Sequence, residues 1–184
     1  MKLPSIFKNL IICPGIHSSE LTRGLIAALP RRAKKNLVVF PTQKYLPYSG
    51  LDLVQFLRKN YGNPWNSEPL VIMAFSAGVV GAITGAWLWQ LQGGKVKGLI
   101  AVDGWGMPLA GSFPIYCLSH DYFTHCSWAM VGDNEQSFYA QPAVSHLDLW
   151  RSPQTAMGWW VKQPGCKVRC NGTDFLSMVC QKLI

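Results

Sequence analysis

Charged residues are scarce in this sequence, and acidic ones most of all. Of 184 residues, 14% are charged and 49% are hydrophobic, and only nine Asp and Glu accompany seventeen Lys and Arg. Intrinsic disorder requires low hydrophobicity and high charge density, so this composition excludes it. Six scattered cysteines are too few for a disulfide scaffold, which concentrates cysteine in a shorter chain. The sequence therefore predicts one globular domain with a sizeable core and reduced thiols.

The amino-terminal residues lack the pattern of a cleavable signal peptide. The apolar run at residues 10–13 is too short for the hydrophobic region of such a peptide, and Pro14-Gly15 ends it. We therefore expect a cytoplasmic protein.

The net charge of +8 is concentrated outside the middle of the chain. Residues 61–150 hold two lysines against six acidic residues, while the densest basic cluster lies at residues 31–35. Because no aromatic or groove-reading motif accompanies this cluster, we interpret it as solvated surface. We predict no nucleic-acid partner, and the composition leaves the oligomeric state undefined.

Short apolar runs alternate with helical patterns along most of the chain. The runs that predict buried strands lie at residues 9–13, 37–40, 70–75, 99–102 and 114–118, with a weaker one at 138–144. This alternation is typical of an α/β fold, here a three-layer α/β/α sandwich with a mostly parallel sheet. We expect a single domain over residues 1–162 that closes with a helix over 147–160, and a carboxy-terminal appendage over 163–184.

The longest uncharged stretch permits a competing interpretation. Residues 70–88 are apolar over a length that crosses a bilayer, and Gly81 and Gly85 match a packing pattern of membrane helices. A buried strand followed by a buried helix gives the same hydropathy, and Ser76-Ala77-Gly78 supplies small residues for a turn between them. We favour the strand and helix, and a membrane span at residues 70–88 stays the alternative.

Reactive side chains follow the predicted strands at the edge where parallel sheets bind ligands. Ser76, Asp103 and Asp121 each follow a strand, and His146 comes after the last one. An imidazole can take the proton of a serine hydroxyl while a carboxylate orients the imidazole, so these residue types point to nucleophilic catalysis. Residues 74–78 (Ala-Phe-Ser-Ala-Gly) fit a sharp strand-to-helix turn of the G-x-S-x-G type, with alanine in place of the first glycine.

On these residues the chain resembles the α/β-hydrolase superfamily over roughly residues 8–160, and is similar to its small, capless cyanobacterial members. The resemblance implies the chain order nucleophile, acid, histidine. It assigns these roles to Ser76, Asp121 and His146, with Asp103 as the alternative acid one strand earlier. It also implies oxyanion donors at the backbone of Ala77 and Ile16.

Two further residues are predicted to contact substrate. His17 lies in the loop that carries Ile16, and Trp105 follows the strand that delivers Asp103. His120, His125 and Cys126 crowd around Asp121, and we interpret them as support for the site and not as metal ligands. No metal and no cofactor are predicted.

The predicted function is that of a serine hydrolase with a Ser-Asp-His triad. It would cleave an ester, thioester or amide bond through an acyl-enzyme. Short connections leave no room for a cap domain, so the acyl group can belong to a small molecule or be attached to a carrier or another protein. The alternative is a hydrolase-fold binding protein in which Ser76 only shapes a pocket.

Overall fold

Strands and helices alternate along the chain. The computed structural model describes residues 9–104, 107–129, 135–163 and 165–184, without the side chains of Asn9, Trp128 and Ala129. The strands are β1 (Asn9–Cys13), β2 (Leu37–Val39), β3 (Leu70–Phe75), β4 (Val96–Val102), β5 (Ile115–Ser119), β6 (Gln136–Ala140), β7 (Met157–Gln163) and β8 (Cys166–Asn171). The α-helices are α1 (Ser19–Ala28), α2 (Arg31–Lys34), α3 (Gly50–Tyr61), α4 (Ala77–Leu91), α5 (Tyr122–Ala129), α6 (His146–Arg151) and α7 (Gly172–Leu183).

One sheet contains all eight of these strands, in the order β2-β1-β3-β4-β5-β6-β7-β8. Neighbours from β2 to β6 pair in parallel, whereas β7 and β8 are antiparallel additions. The predicted mostly parallel α/β sheet is confirmed. Phe75 pairs with Val102, and Val102 pairs with Leu118, so β3, β4 and β5 end at the same level. The residues that follow these strands therefore meet at one edge of the sheet.

A hydrophobic core lies on each face of the sheet. Alternate residues of β3 point to opposite faces, as strand geometry requires. Val71, Met73 and Phe75 pack with α1, α6 and α7, whereas Ile72 and Ala74 pack with α3 and α4. Every residue of β3 is buried, because helices cover both faces. The architecture is thus the expected three-layer α/β/α sandwich.

The apolar stretch at residues 70–88 is not a membrane span. It divides into the six-residue strand β3 and most of the fifteen-residue helix α4, with Ser76 between them. Among the described residues, no helix has both the length and the apolar character to cross a membrane. The hydropathy arises instead from a central strand and a helix that buries eight of its residues.

The predicted helix over residues 147–160 is wrong in its second half. Helix α6 ends at Arg151, and β7 begins at Met157 and pairs with β6. Pro153 interrupts the helical pattern, and Gly158 explains why a strand can follow. A Cβ on Gly158 would overlap the carbonyl oxygen of Tyr139, so glycine permits the close approach of β7 to β6.

The last residues of the chain are built into the sandwich, in contrast to the expected appendage. Strand β8 forms the edge of the sheet, and Asn171 caps α7 through a capping box with Asp174. Phe175 and Val179 of α7 are fully buried in the core shared with α1 and α6. The expected boundary after residue 162 falls inside β7.

Candidate active site

Ser76 occupies the sharp turn between β3 and α4. Its backbone has φ 52° and ψ −125°, and its N–H donates to the carbonyl oxygen of Val102 over 2.9 Å. Among the described residues, Ser76 and Asp103 are the non-glycine residues with positive φ. Such a conformation costs about 1–3 kcal/mol per residue and persists where the surroundings enforce it, often at functional sites.

Two glycines let the loop after β1 press against this turn. A Cβ on Gly78 would overlap the carbonyl oxygens of Cys13 and Pro14. A Cβ on Gly15 would lie 3.1 Å from the Cβ of Ser76 and 3.0 Å from the carbonyl oxygen of Phe75. The backbone of residues 13–15 thus runs directly beside the serine.

This close approach predicts the effect of adding one methyl group. We expect Gly78→Ala to destabilise the protein by about 1–3 kcal/mol, because the methyl meets backbone atoms that cannot rotate away. Gly15→Ala is the matched comparison and should cost less, since its contacts are tight but not overlapping. Thermal and urea denaturation measure both variants. Wild-type stability in Gly78→Ala would contradict the close approach.

Asp103, at the end of β4, is fully buried and holds two histidines. Its Oδ1 accepts the backbone N–H of His120 over 2.9 Å. Its Oδ2 lies 2.9 Å from Nδ1 of His146 and 3.0 Å from Nδ1 of His120. A buried carboxylate needs such partners to offset its lost hydration.

Aromatic stacking fixes the ring of His146. Phe75, next to Ser76 in the chain, stacks on His146 with ring centroids 4.5 Å apart, and on Trp150 at 4.9 Å. The indole N–H of the buried Trp150 donates to Thr22 over 3.2 Å. The imidazole that Asp103 holds is therefore packed beside the strand end that carries Ser76.

Asp121, the residue predicted to be the triad acid, contacts the start of α5 and His120. Its Oδ1 accepts the backbone N–H of Thr124 over 2.7 Å, which caps the start of α5. Its Oδ2 lies 3.6 Å from Nε2 of His120. Burial acts to raise the pKa of Asp121, but the hydrogen bonds from Thr124 and the charge of His120 outweigh it, so the pKa is lowered. The carboxylate in contact with His146 is that of Asp103, the alternative acid.

His120 joins these two carboxylates. Its ring lies edge-on to His146 with centroids 5.8 Å apart. Its Nδ1 lies 3.0 Å from Oδ2 of Asp103 without the alignment of a hydrogen bond, and the same oxygen is hydrogen-bonded to Nδ1 of His146 at 2.9 Å. This close contact with Asp103 raises the pKa of His120, and the charges of Asp103 and Asp121 add to it, against the opposing effect of burial.

Asp103, His120 and His146 also have the composition of a metal site. Their ligand atoms lie within 4.8 Å of one another. A tetrahedral zinc ion would hold nitrogen and oxygen ligands about 3.4 Å apart, given metal–ligand distances near 2.0–2.1 Å. The observed Nδ1–Oδ2 separations of 2.9 and 3.0 Å are shorter, and the contact of Asp103 with His146 is a direct hydrogen bond.

The predicted oxyanion donors belong to the turn itself and to the loop that packs against it. Ala77 is the first residue of α4, where the backbone N–H groups have no carbonyl partners within the helix and the helix dipole is positive. Ile16 follows Gly15, and its side chain is 76% exposed. Ala77 thus follows Ser76 directly, and Ile16 follows the glycine on which a Cβ would lie 3.1 Å from the Cβ of Ser76.

A pocket of about 310 Å³ adjoins this edge of the sheet. Pro14 and His17, Thr22 and Ile26 of α1, and Val39 and Phe40 at the end of β2 contribute to its wall. The ring of His17 also packs edge-on against Phe75 at 5.4 Å. His17 thus contacts both the aromatic stack and the pocket. The other predicted substrate residue, Trp105, lies outside the described residues.

Comparison with known proteins identifies the fold. No protein-family model and no curated protein matches the amino-acid sequence. Among solved structures, the chain is similar to YbtT, a type II thioesterase from the yersiniabactin NRPS/PKS biosynthetic pathway. The TM-score is 0.50 at 15% identity, over 82% of this chain and 91% of the other. The chain has the α/β-hydrolase fold. A serine-to-alanine variant of YbtT also matches, with a TM-score of 0.49 at 15% identity over 79% of this chain and 89% of that one.

Within the α/β-hydrolase fold, sequence reasoning found most of the residues that the structure brings together. Ser76, Asp103 and His146 were all singled out, although Asp121 was preferred to Asp103. The contact of His120 with Asp103 and the stack of Phe75 on His146 were missed. The sequence does place His120 among the residues that support the site, but its position next to Asp121 gives no signal of a contact with Asp103.

Proposed function

We propose that this protein is a serine hydrolase that cleaves an ester, thioester or amide bond through an acyl-enzyme, with a thioester as the favoured substrate. The observation that carries the proposal is the strained Ser76, whose neighbour Phe75 stacks on the His146 imidazole that contacts the buried carboxylate of Asp103. A strained serine alone is also found in turns that only pack a helix against a sheet. Here an imidazole with a carboxylate partner stacks on Phe75, the preceding residue, and this supports a catalytic role for the serine.

The proposed reaction follows from these groups. Oγ of Ser76 attacks the carbonyl carbon of the substrate, and Nε2 of His146 takes the hydroxyl proton. Asp103 holds the Nδ1–H of His146, which selects the tautomer whose Nε2 can accept, and it stabilises the imidazolium that forms. When the tetrahedral intermediate collapses, His146 returns the proton to the departing thiol, alcohol or amine. Water then attacks the acyl-enzyme while His146 takes its proton, and His146 returns a proton to Oγ of Ser76 as the carboxylic acid product leaves.

The tetrahedral intermediate carries a negative charge on its oxygen. We propose that the backbone N–H groups of Ala77 and Ile16 donate to it. The first lies at the positive end of a fifteen-residue helix, and the second follows a loop held against Ser76 by two glycines. Fixed donors of this kind lower the barrier by about 3–4 kcal/mol each.

Two observations support an acyl thioester as substrate. YbtT, which shares the fold, is a type II thioesterase. The pocket beside His17 is walled in part by Ile26, Val39 and Phe40, side chains that suit an apolar acyl chain. Its volume of about 310 Å³ is near the lower limit for small-molecule sites, so we expect short or medium acyl groups.

A panel of acyl thioesters and matched oxygen esters of increasing chain length tests the proposal. We expect turnover of both, with a higher kcat/KM for the thioesters and an optimum at an intermediate length. Val39→Trp should narrow the pocket and lower kcat/KM for the preferred acyl group by about tenfold, since losing burial of two methylenes costs roughly 1.6 kcal/mol. Acetyl substrates provide the internal control, because they should be turned over equally by both proteins.

The panel also tests the alternative function. Saturable binding of acyl thioesters without any turnover would favour the hydrolase-fold binding protein, and would overturn the proposal. Equal losses for acetyl and longer substrates in Val39→Trp would show that this pocket does not hold the acyl chain.

A further inference from the structure

The carboxylate of Asp103 serves two imidazoles at once. Its Oδ2 is shared by Nδ1 of His146 at 2.9 Å and Nδ1 of His120 at 3.0 Å. On its far side, Nε2 of His120 faces the carboxylate of Asp121 at 3.6 Å. The four residues form one chain of contacts that begins at the cap of α5 and ends at the imidazole stacked on Phe75, the residue before Ser76. The reaction proposed above uses only one end of this chain.

We propose that His120 is a positioning residue whose protonation inactivates the hydrolase. When His120 is neutral, the negative charge of Asp103 is available to stabilise a positive charge on His146. When His120 is protonated, its own positive charge offsets the negative charge of the carboxylate. This inference rests on the proposed function. His120 need not touch the substrate, since it acts through the carboxylate that it shares with His146.

The charge balance at Asp103 explains the switch. During acylation the proton of Ser76 moves to His146, so a cation forms against Oδ2 of Asp103. Asp103 is fully buried, and a carboxylate carries at most one negative charge. If His120 is already a cation at the same oxygen, two positive charges must share one carboxylate, and the imidazolium on His146 is less stabilised. The active form is therefore the one in which His120 is neutral.

Asp121 determines how readily His120 takes its proton. When neutral His120 donates from Nδ1 to Asp103, the lone pair on Nε2 faces the Asp121 carboxylate, which is repulsive; when protonated, Nε2–H can donate to it. Among the described residues, the titratable groups that face His120 are Asp103 of the β4 end, Asp121 beside it and His146 of α6. Two acids and one imidazole surround it, so its protonated form is favoured.

The raised pKa of His120 sets the direction of the pH effect on activity. A raised pKa keeps His120 protonated to a higher pH than a free imidazole. The inactive form therefore persists as the pH rises, and acidification removes activity in two proton-binding steps, one at each imidazole. Below both steps kcat/KM should fall about 100-fold per pH unit, whereas a single step gives about tenfold.

His120→Asn separates position from charge. The amide nitrogen of asparagine can replace Nδ1 as a donor to Asp103, but it cannot be protonated. We expect His120→Asn to retain activity near neutral pH, to move the acid limb of kcat/KM to lower pH and to reduce its slope to one proton. His120→Ala removes the donor as well, and should lower the maximal rate by about tenfold. Asp121→Asn should also move the acid limb of kcat/KM to lower pH, but the limb should keep its two-proton slope, because His120 can still be protonated.

The outcomes of these measurements distinguish the proposals. An unchanged two-proton acid limb in His120→Asn, or equal rates in His120→Asn and His120→Ala, would overturn the role of His120. So would loss of activity on chelation with recovery on adding zinc, because the cluster would then hold an ion.

A second measurement does not depend on activity or on a variant at His120. NMR titration of the imidazole carbons should show His120 binding its proton at a higher pH in the wild type than in Asp121→Asn. If the protein has no hydrolase activity but this difference is present, the proposed function fails and the coupling of His120 to Asp121 stands. If the titration of His120 is the same in both proteins, the coupling fails whatever the activity.

Discussion

Asp103→Asn is expected to lower kcat/KM for a thioester substrate by about 10⁴-fold, while Asp121→Asn changes it by less than about tenfold at pH 8. The difference follows from the contacts of the two carboxylates. Asp103 contacts Nδ1 of His146 at 2.9 Å from a buried position, whereas Asp121 caps α5 and reaches only His120. An amide at position 103 can present its N–H to His146, which leaves the imidazole in the tautomer that cannot accept the serine proton.

Both variants are chosen to preserve the fold. Asp103 has φ 48°, a conformation that asparagine tolerates better than most residues, so the backbone of Asp103→Asn should not be strained further. Asparagine is also a good helix cap, so Asp121→Asn should keep α5. Circular dichroism and the unfolding midpoint control for structure. A larger loss in Asp121→Asn than in Asp103→Asn would contradict the assignment of the acid.

Ser76→Ala is expected to reduce kcat by about 10⁵–10⁶-fold, because the acyl-enzyme cannot form without the hydroxyl oxygen. Alanine has the same backbone preferences as serine at this turn to a first approximation, and within the described chain the Ser76 side chain makes no capping bond to α4. The stability of the protein should therefore change little, and binding of a thioester should persist.

Ser67→Ala is the matched control for this variant. Ser67 is also partly buried, and its hydroxyl donates to the carbonyl oxygen of Pro64 over 2.9 Å. It precedes β3, and so lies at the opposite edge of the sheet from Ser76. Steady-state kinetics of the purified variants should show wild-type rates for Ser67→Ala. A residual rate in Ser76→Ala within about tenfold of wild type would exclude Ser76 as the nucleophile.

The fold was largely predictable because local pattern and long-range packing agree over β1 to β5. Each of these strands is a short apolar run, and turn residues such as Pro14-Gly15 stop the pattern where the strand stops. The agreement fails after Arg151. Trp159 and Trp160 lie at positions that also fit a helix, and the choice of a strand depends on pairing with β6 and on the contact that Gly158 permits. Such contacts between distant residues leave no local signal.

The candidate site was predictable to the level of residue types and strand ends, but not to the choice between two acids. Asp103 and Asp121 both follow strands, and the chain order fits either. The difference between them is local. The backbone after Asp121 begins α5, so its carboxylate accepts the N–H of Thr124 as a helix cap. Asp103 has no helix directly after it in the described residues and turns into the core, where His120 and His146 converge on it.

The most direct test of the account is to find the residue that becomes covalently modified. The purified wild-type protein is treated with a fluorophosphonate probe, digested, and the modified peptide is sequenced by mass spectrometry. We predict stoichiometric modification of Ser76, no modification of Ser76→Ala, and unchanged modification of Ser67→Ala. Modification of a different residue, or none in a folded wild-type protein that hydrolyses thioesters, would contradict the assignment of Ser76 as the nucleophile.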